Sequence, residues 1–458
     1  MLVLTIITMF KQIKNILSLQ LVRNTLKLSS SNVITMLLPL IVTPILSRLY
    51  TPTDYGDWGV FVSVVYTIQS FLFLSYENTI VKTDNEKEIP SLVVLCLIVG
   101  SLVLLLTHIT FIGGKALGIS FFKNFPSLSL LLFLLIIIIV STILKSVSNR
   151  NKIYGPLAVS GIVDGLSQAG LRLLFGVFPI VAYGLIVGNV IAQLLAAIFL
   201  LIYTWRYLTN LAYSSVKLNR LWGLVRKYKK FPLFDAPARI VEIGMGSLPI
   251  IILSYYWDKS QLGCYSMIVT FLLLPLSVIG SSMGNVYYKE LSENQHSFEA
   301  MQDSTIKASK ICFWLSILPL LFLTLGGDKL LVLFLGKNWG DAGHMALCMS
   351  LYSMPVIMSE PLLPIFRIVE KQEIRFGINF TNFVFAIGSL IVVPIFSNNI
   401  YHTILVYSII HTSFRFYLYN KELSMFSLSP SNITKLFTPI VVLSYVMTFG
   451  RIIIESIL

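Results

Sequence analysis

Apolar residues dominate the chain in long blocks, each closed by a short polar interruption. The blocks fall at about 30–49, 57–76, 90–112, 126–145, 157–177, 180–205, 235–256, 261–285, 309–326, 342–366, 376–396, 400–418 and 436–457. Each is close to the length of about 20 residues that an α-helix needs to cross hydrocarbon. The pattern therefore predicts thirteen membrane helices, and twelve or fourteen crossings also satisfy it, because the blocks near 157 and 309 are short or interrupted by Gly161, Asp164 and Gly165.

Composition sharpens this into a class. Of 458 residues, 56% are hydrophobic and 12% charged, with mean hydropathy +0.81, whereas a soluble domain carries about 25% charged residues. Soluble enzymes, DNA-binding proteins and secreted domains are excluded. The first ten residues are apolar and precede Lys11 and Lys14, the reverse of a signal peptide, and too short to span. Met9 is a plausible true start, because the preceding octet adds nothing the rest of the chain uses.

The net charge of +13 is a topology signal before it is anything else. With the N-terminus in the cytoplasm, nearly all Lys and Arg between spans fall on the inner side, and only Arg48, Lys115, Lys123, Lys259, Lys329 and Lys337 fall outside. No nucleic-acid partner is needed to explain the charge. Cys96, Cys264, Cys312 and Cys348 stand singly, without CxxC spacing, so neither a disulfide framework nor a zinc site is indicated.

Residues 206–234 form the longest polar interruption and split the chain. The expected organisation is a cytoplasmic N-terminal segment (1–29), an N-lobe of six helices (30–205), a basic cytoplasmic linker (206–234), a C-lobe of six helices (235–418), and a cytoplasmic loop with a thirteenth helix (419–458). Leu46, Ser47 and Gly56 recur as Leu253, Ser254 and Gly263 at a constant offset of 207, each set closing the first span of its lobe. Two repeats of six spans keep one orientation and are related by an axis along the membrane normal.

Charge inside the membrane costs about 2.5–3.5 kcal/mol on insertion scales and faces a cavity or a partner. Asp235, Arg239 and Glu242 share one face of the seventh span at i, i+4 and i+7. Arg239 could meet an anion while Asp235 or Glu242 holds it or exchanges a proton; equally, Asp235 and Arg239 could form an interfacial i,i+4 pair. Asp164, Gln168 and Arg172 form a polar stripe on the fifth span, extended by Asn189 and Gln193 on the sixth. Asp164 and Arg172 are two turns apart, too far to neutralise each other easily. Glu360 lies among Pro355, Pro361 and Pro364, where a broken helix is expected. His402 and His411 lie on roughly opposite faces and do not suggest a metal site or proton relay. There is no Walker A, HExxH or GxSxG motif.

The stretches Pro44-Ile-Leu-Ser-Arg-Leu-Tyr-Thr-Pro52 to Gly56, Tyr76-Glu77, Tyr228-Lys-Lys-Phe-Pro232, Leu248-Pro249 with Gly263, Leu274 to Gly280 and Phe334 to Gly343 resemble those of Wzx-type polysaccharide repeat-unit flippases. That family shares a superfamily with multidrug and toxin extrusion (MATE) carriers and lipid II flippases. The likeness covers about residues 25–420. It implies an all-α, polytopic membrane helix bundle, two six-helix lobes in a MATE-like parallel repeat, with the thirteenth span a departure that leaves the side of the C-terminus open. It also implies a non-enzymatic flippase of the bacterial inner membrane, N-terminus cytoplasmic. Such a protein moves undecaprenyl-diphosphate-linked oligosaccharides to the periplasmic leaflet by alternating access, for O-antigen or capsule-type polymers. No cofactor is implied, proton or sodium coupling stays open, and glycosyltransferases and a polymerase are the implied partners. On this reading Arg48, Arg172 and Arg239 supply a cationic lining, with Asp164, Asp235, Glu242 and Glu360 as further cavity residues and Tyr66, Tyr183, Tyr255, Tyr256 and Trp257 placed for sugar stacking. A multidrug exporter of the same fold would favour acidic residues over Arg172 and Arg239. A membrane-embedded polymerase would need a substantial outer loop, which the chain lacks.

Overall fold

Hydrocarbon offers no partner to backbone amides, so each apolar stretch must satisfy its own hydrogen bonds. A helix lies over the described part of every one of them in the computed structural model, which describes residues 38, 41–151, 153–211, 216–429 and 438–457. The N-terminal segment 1–29, with the reading of Met9, lies outside the described residues. The helices are α1 (41–49), α2 (Pro52–Phe71), α3 (Ile89–Ala116), α4 (Leu128–Arg150), α5 (Tyr154–Val177), α6 (Gly184–Thr209) and α7 (Ala236–Tyr256). There follow α8 (Lys259–Ile268, a π-turn at Val269–Leu273, then Leu274–Glu293), α9 (Phe298–Phe322), α10 (Gly340–Ser359), α11 (Gln372–Phe396), α12 (Ile400–Ser424) and α13 (Thr438–Ile457). No strand occurs among the described residues.

Seven of these, α3, α4, α6, α7, α9, α10 and α11 with their flanking turns, are long and apolar enough to cross a membrane on length and composition alone. The protein is a multi-pass membrane protein. Polar side chains lower the hydropathy of α2 and α5, and those same side chains supply the site described below. Local chemistry sets the breaks. Thr51 and Asp54 form a reciprocal capping box ahead of Pro52, which starts α2. Pro232 and Pro275, which lack a backbone donor, lie within or just after the π-turns at Phe231–Asp235 and Val269–Leu273, and Pro319 lies in α9 one turn before the π-turn at Leu323–Gly327. The proline cluster around Glu360 ends α10 in a 3-10 turn, Glu360–Leu362, and a short helix, Ile365–Ile368.

The chain divides into two compact units, Leu38–Ser266 and Met267–Leu458. This boundary lies inside α8, later than the lobe boundary drawn at 206–234 from hydropathy. The reason is that α7 and the start of α8 pack on α2. Thr67 and Ser247 share a hydrogen bond of 2.8 Å, and Lys259 pairs with Asp57 at 2.6 Å. A Cβ on Gly56 would lie 2.0 Å from the Lys259 carbonyl oxygen, and one on Gly263 1.7 Å from that of Pro52. The contact is reciprocal at the repeat offset, because Pro52 corresponds to Lys259 as Gly56 does to Gly263. In the linker, the short helix Leu218–Lys227 is tied back to the same unit: Lys227 and the Tyr228 hydroxyl donate to Glu88 at 2.6 and 3.0 Å. The Glu88 hydrogen bond holds the Lys227 ammonium above the usual lysine range.

In the second unit α10 is the core, its residues buried almost continuously from Ala342 to Ser359. The thirteenth helix docks here. The Tyr445 hydroxyl donates to the Leu351 carbonyl at 2.6 Å, and Thr448 shares a hydrogen bond with Thr324 at 2.7 Å. Arg451 reaches Asp328 at 2.5 Å and the carbonyls of Leu323 and Thr324 at 3.3 Å. Those carbonyls lie at the π-turn, where Gly326 takes φ 112°, a conformation open to glycine.

Candidate functional site

The polar stripe of α5 faces the inside of the first unit. Arg172 is buried at 7% exposure. Its guanidinium lies 4.8 Å from the Trp58 ring centroid, and Tyr50, Tyr55, Tyr66 and Asp164 are its electrostatic neighbours. Tyr50 donates to the Arg172 carbonyl at 2.8 Å, which ties the end of α1 to α5. Glycine permits the approach of α6: a Cβ on Gly188 would lie 3.2 Å from Arg172 Cγ. The Nε of Arg172 has no hydrogen-bond partner, and among the described residues no carboxylate pairs with the side chain. An arginine cannot shed its charge, and burying an unpaired ion costs several kcal/mol. The cation–π contact returns about 2 kcal/mol when desolvated. The balance leaves a pre-set cation with spare donor capacity.

One turn and two turns toward the start of α5 the stripe continues. Gln168 donates to Asn189 of α6 at 2.6 Å. Asp164 lines a cavity of about 380 Å³ with Tyr66, Gln69, Lys145 and Gln193, and its Oδ1 is buried without a partner. Asp164 and Gln193 line this cavity together, while Gln168, held by Asn189, and Arg172 follow on the same face of α5.

The other expected residues are dispersed. Arg48 is exposed on α1, and Asp235 and Glu242 are exposed at the start of α7. Arg239 does not pair with Asp235; its Nη1 forms an ion pair with Glu77 Oε1. Glu77 is buried at 4% exposure, behind a turn in which Leu74 and Ser75 take φ 49° and 63°, and this turn directs the chain back toward α7. Glu360 lies in the second unit, paired with Arg415 of α12 at 2.6 Å. Trp58, Glu77, Arg415 and Glu422 carry weight here that sequence reasoning did not give them. The Tyr76-Glu77 pair and the i, i+7 spacing of Arg415 and Glu422 were the available signals. Among the described residues no group of three or more His, Cys, Asp or Glu could hold a metal ion.

The fold is similar to that of solved transporters. The inward-facing conformation of a multidrug resistance MATE family transporter of the MOP superfamily superposes with TM-score 0.67 at 12% identity, covering 88% of this chain and 96% of that one. Lipid II flippase MurJ in an inward closed conformation gives TM-score 0.64 at 14% identity, covering 93% and 97%. A MOP superfamily transporter from Pyrococcus furiosus, described by the reverse polarity of its binding pocket, gives 0.56 at 13%, covering 89% and 95%. No curated protein sequence matches significantly. A family model described as polysaccharide biosynthesis protein matches residues 45–344, from the end of α1 into α10 and across every element that builds the Arg172 site. The chain belongs to the polysaccharide biosynthesis protein family and has the all-helical fold of MOP superfamily transporters.

Proposed function

We propose that the protein flips undecaprenyl-diphosphate-linked oligosaccharide repeat units from the cytoplasmic to the periplasmic leaflet of the bacterial inner membrane, by alternating access and with its N-terminus in the cytoplasm. The observation that carries this reading is Arg172: a buried cation without a carboxylate partner, set among Trp58, Tyr50, Tyr55 and Tyr66. A diphosphate and its sugars cannot enter hydrocarbon unaided. A fixed guanidinium offers the diphosphate bidentate charge-assisted hydrogen bonds, and aromatic rings offer sugars an apolar face with a polar rim. The lipid tail meanwhile stays in the bilayer. Family membership and the flippase-like fold support the same reading, with O-antigen or capsule-type polymers as the end product. A cation exporter is disfavoured by the same arginine, which repels its cargo.

Deletion of the gene in its host tests this. The expected result is accumulation of complete lipid-linked units on the cytoplasmic leaflet and loss of surface polymer, both reversed by a plasmid copy. Unchanged polymer together with new sensitivity to cationic toxins would assign the exporter instead.

A further inference from the structure

Glu422, near the end of α12, has no exposed surface, and neither of its carboxylate oxygens has a hydrogen-bond partner. Native structures seldom leave a buried polar group in this condition, and an ionised carboxylate so placed costs several kcal/mol. The groups facing it come from five elements: Glu360 after α10, Arg375 of α11, Arg415 and Tyr419 of α12 itself, Tyr287 of α8 and Cys312 of α9. Arg415 is already engaged, its Nη1 2.6 Å from Glu360 Oε1, while its Nε is buried without a partner. Two carboxylates therefore share one arginine, and only one of them holds it.

The carboxylate that holds it occupies a mechanically sensitive place. Glu360 opens the 3-10 turn at which α10 breaks, followed by Pro361 and Pro364. A Cβ on Gly280 of α8 would lie 2.9 Å from Glu360 Cβ, so the break packs closely on α8. The Arg415–Glu360 pair ties α12 to this break.

We propose that Glu422 is a proton-binding site that competes with Glu360 for Arg415, so that its ionisation releases the break in α10. In the arrangement described, Glu422 carries its proton and Arg415 closes on Glu360. Loss of that proton creates a buried anion two turns along the same helix from Arg415, and the guanidinium turns toward it. Glu360 then loses its partner, and the segment Glu360–Ile368 loosens. One proton leaves and one ion pair is exchanged for another. The inference rests on reading the chain as an alternating-access transporter, and it names the proton as the coupling ion.

Hydrogen exchange of the purified full-length protein in nanodiscs, read over residues 360–368 and corrected for intrinsic rates, tests it without any substrate. Between about pH 6 and about pH 8.5, exchange in the unmodified protein should rise about tenfold, equivalent to about 1.4 kcal/mol of lost protection. Glu422→Gln should stay at the acidic level at both values. Glu360→Gln should show the fast level at both, and Glu373→Gln, exposed on α11, should follow the unmodified protein. A pH-independent segment, a Glu422→Gln protein that responds like the unmodified one, or a response to replacing choline with sodium at fixed pH would each overturn the proposal. A gene deletion that leaves lipid-linked units unaffected would overturn the flippase function while leaving this measurement intact.

Discussion

Two arginines of the first unit, the buried Arg172 and the partly exposed Arg239, behave in opposite ways when removed, because only Arg239 has a carboxylate partner. Arg172→Met deletes an unpaired buried charge, so thermal stability in detergent should rise or hold, as often follows removal of a buried ion, while complementation of polymer export is lost. Arg172→Lys should recover little of that activity, since an ammonium cannot lie flat on Trp58 or fork onto a diphosphate. Loss of a contact worth about 2 kcal/mol corresponds to a rate roughly thirtyfold lower, measurable as appearance of lipid-linked units in the outer leaflet. Arg239→Met strands Glu77 without its partner and should cost about 3–5 kcal/mol, seen as a lower unfolding midpoint. The double variant Glu77→Gln/Arg239→Met should recover most of that loss. Sequence alone could show that Arg172 and Arg239 were awkward in a membrane. It could not separate them, because Glu77 lies far away in the chain and is brought to Arg239 only by the turn at Leu74 and Ser75.

Helices as units were far more legible. Among the described residues a helix covers each apolar stretch, and the breaks follow proline chemistry that needs no tertiary knowledge. Hydropathy could not reveal which helices pack together. It assigned α7 to the second lobe, while the Thr67–Ser247 hydrogen bond holds α7 against α2, and the glycine pair with the Lys259–Asp57 ion pair holds the start of α8 there. Glycines that admit a bare backbone look, in sequence, like any other glycine. Gly263→Val should therefore be among the most damaging substitutions in the chain: its side chain would collide with the Pro52 carbonyl, not with a flexible side chain. A cost of about 1–3 kcal/mol or more is expected, read as reduced yield and a lowered midpoint. Gly113, whose Cβ would meet nothing within 4 Å, should accept alanine without penalty.

For the whole molecule, the thirteenth helix decides on which side the chain ends. Arg451, near the last turn of α13, is bonded to Asp328, which lies just past the end of α9 and its π-turn and opens the short helix Asp328–Leu335 that carries Lys329 and leads to Lys337. On the proposed topology, with the N-terminus inside, that end of α9 would face the periplasm, and so would the end of α13. Alkaline phosphatase fused after Leu458 should be active, and a fluorescent protein that matures only in the cytoplasm should stay dark; the reverse pattern would require an even number of crossings.

The glycine contact has a mechanical meaning at this scale. With no side chain between them, the backbones of α2 and α8 touch at a point repeated in mirror order, Gly56 on Lys259 and Gly263 on Pro52. A point contact of this kind works as a bearing. Rolling about it keeps both glycines opposite a carbonyl, whereas sliding by one residue drives Tyr55 or Asp57 on one side, and Leu262 or Cys264 on the other, into the facing backbone. Movement of α8 on α2 would therefore be tolerated as rotation and opposed as sliding, and the difference is built from two residues that have no side chains at all.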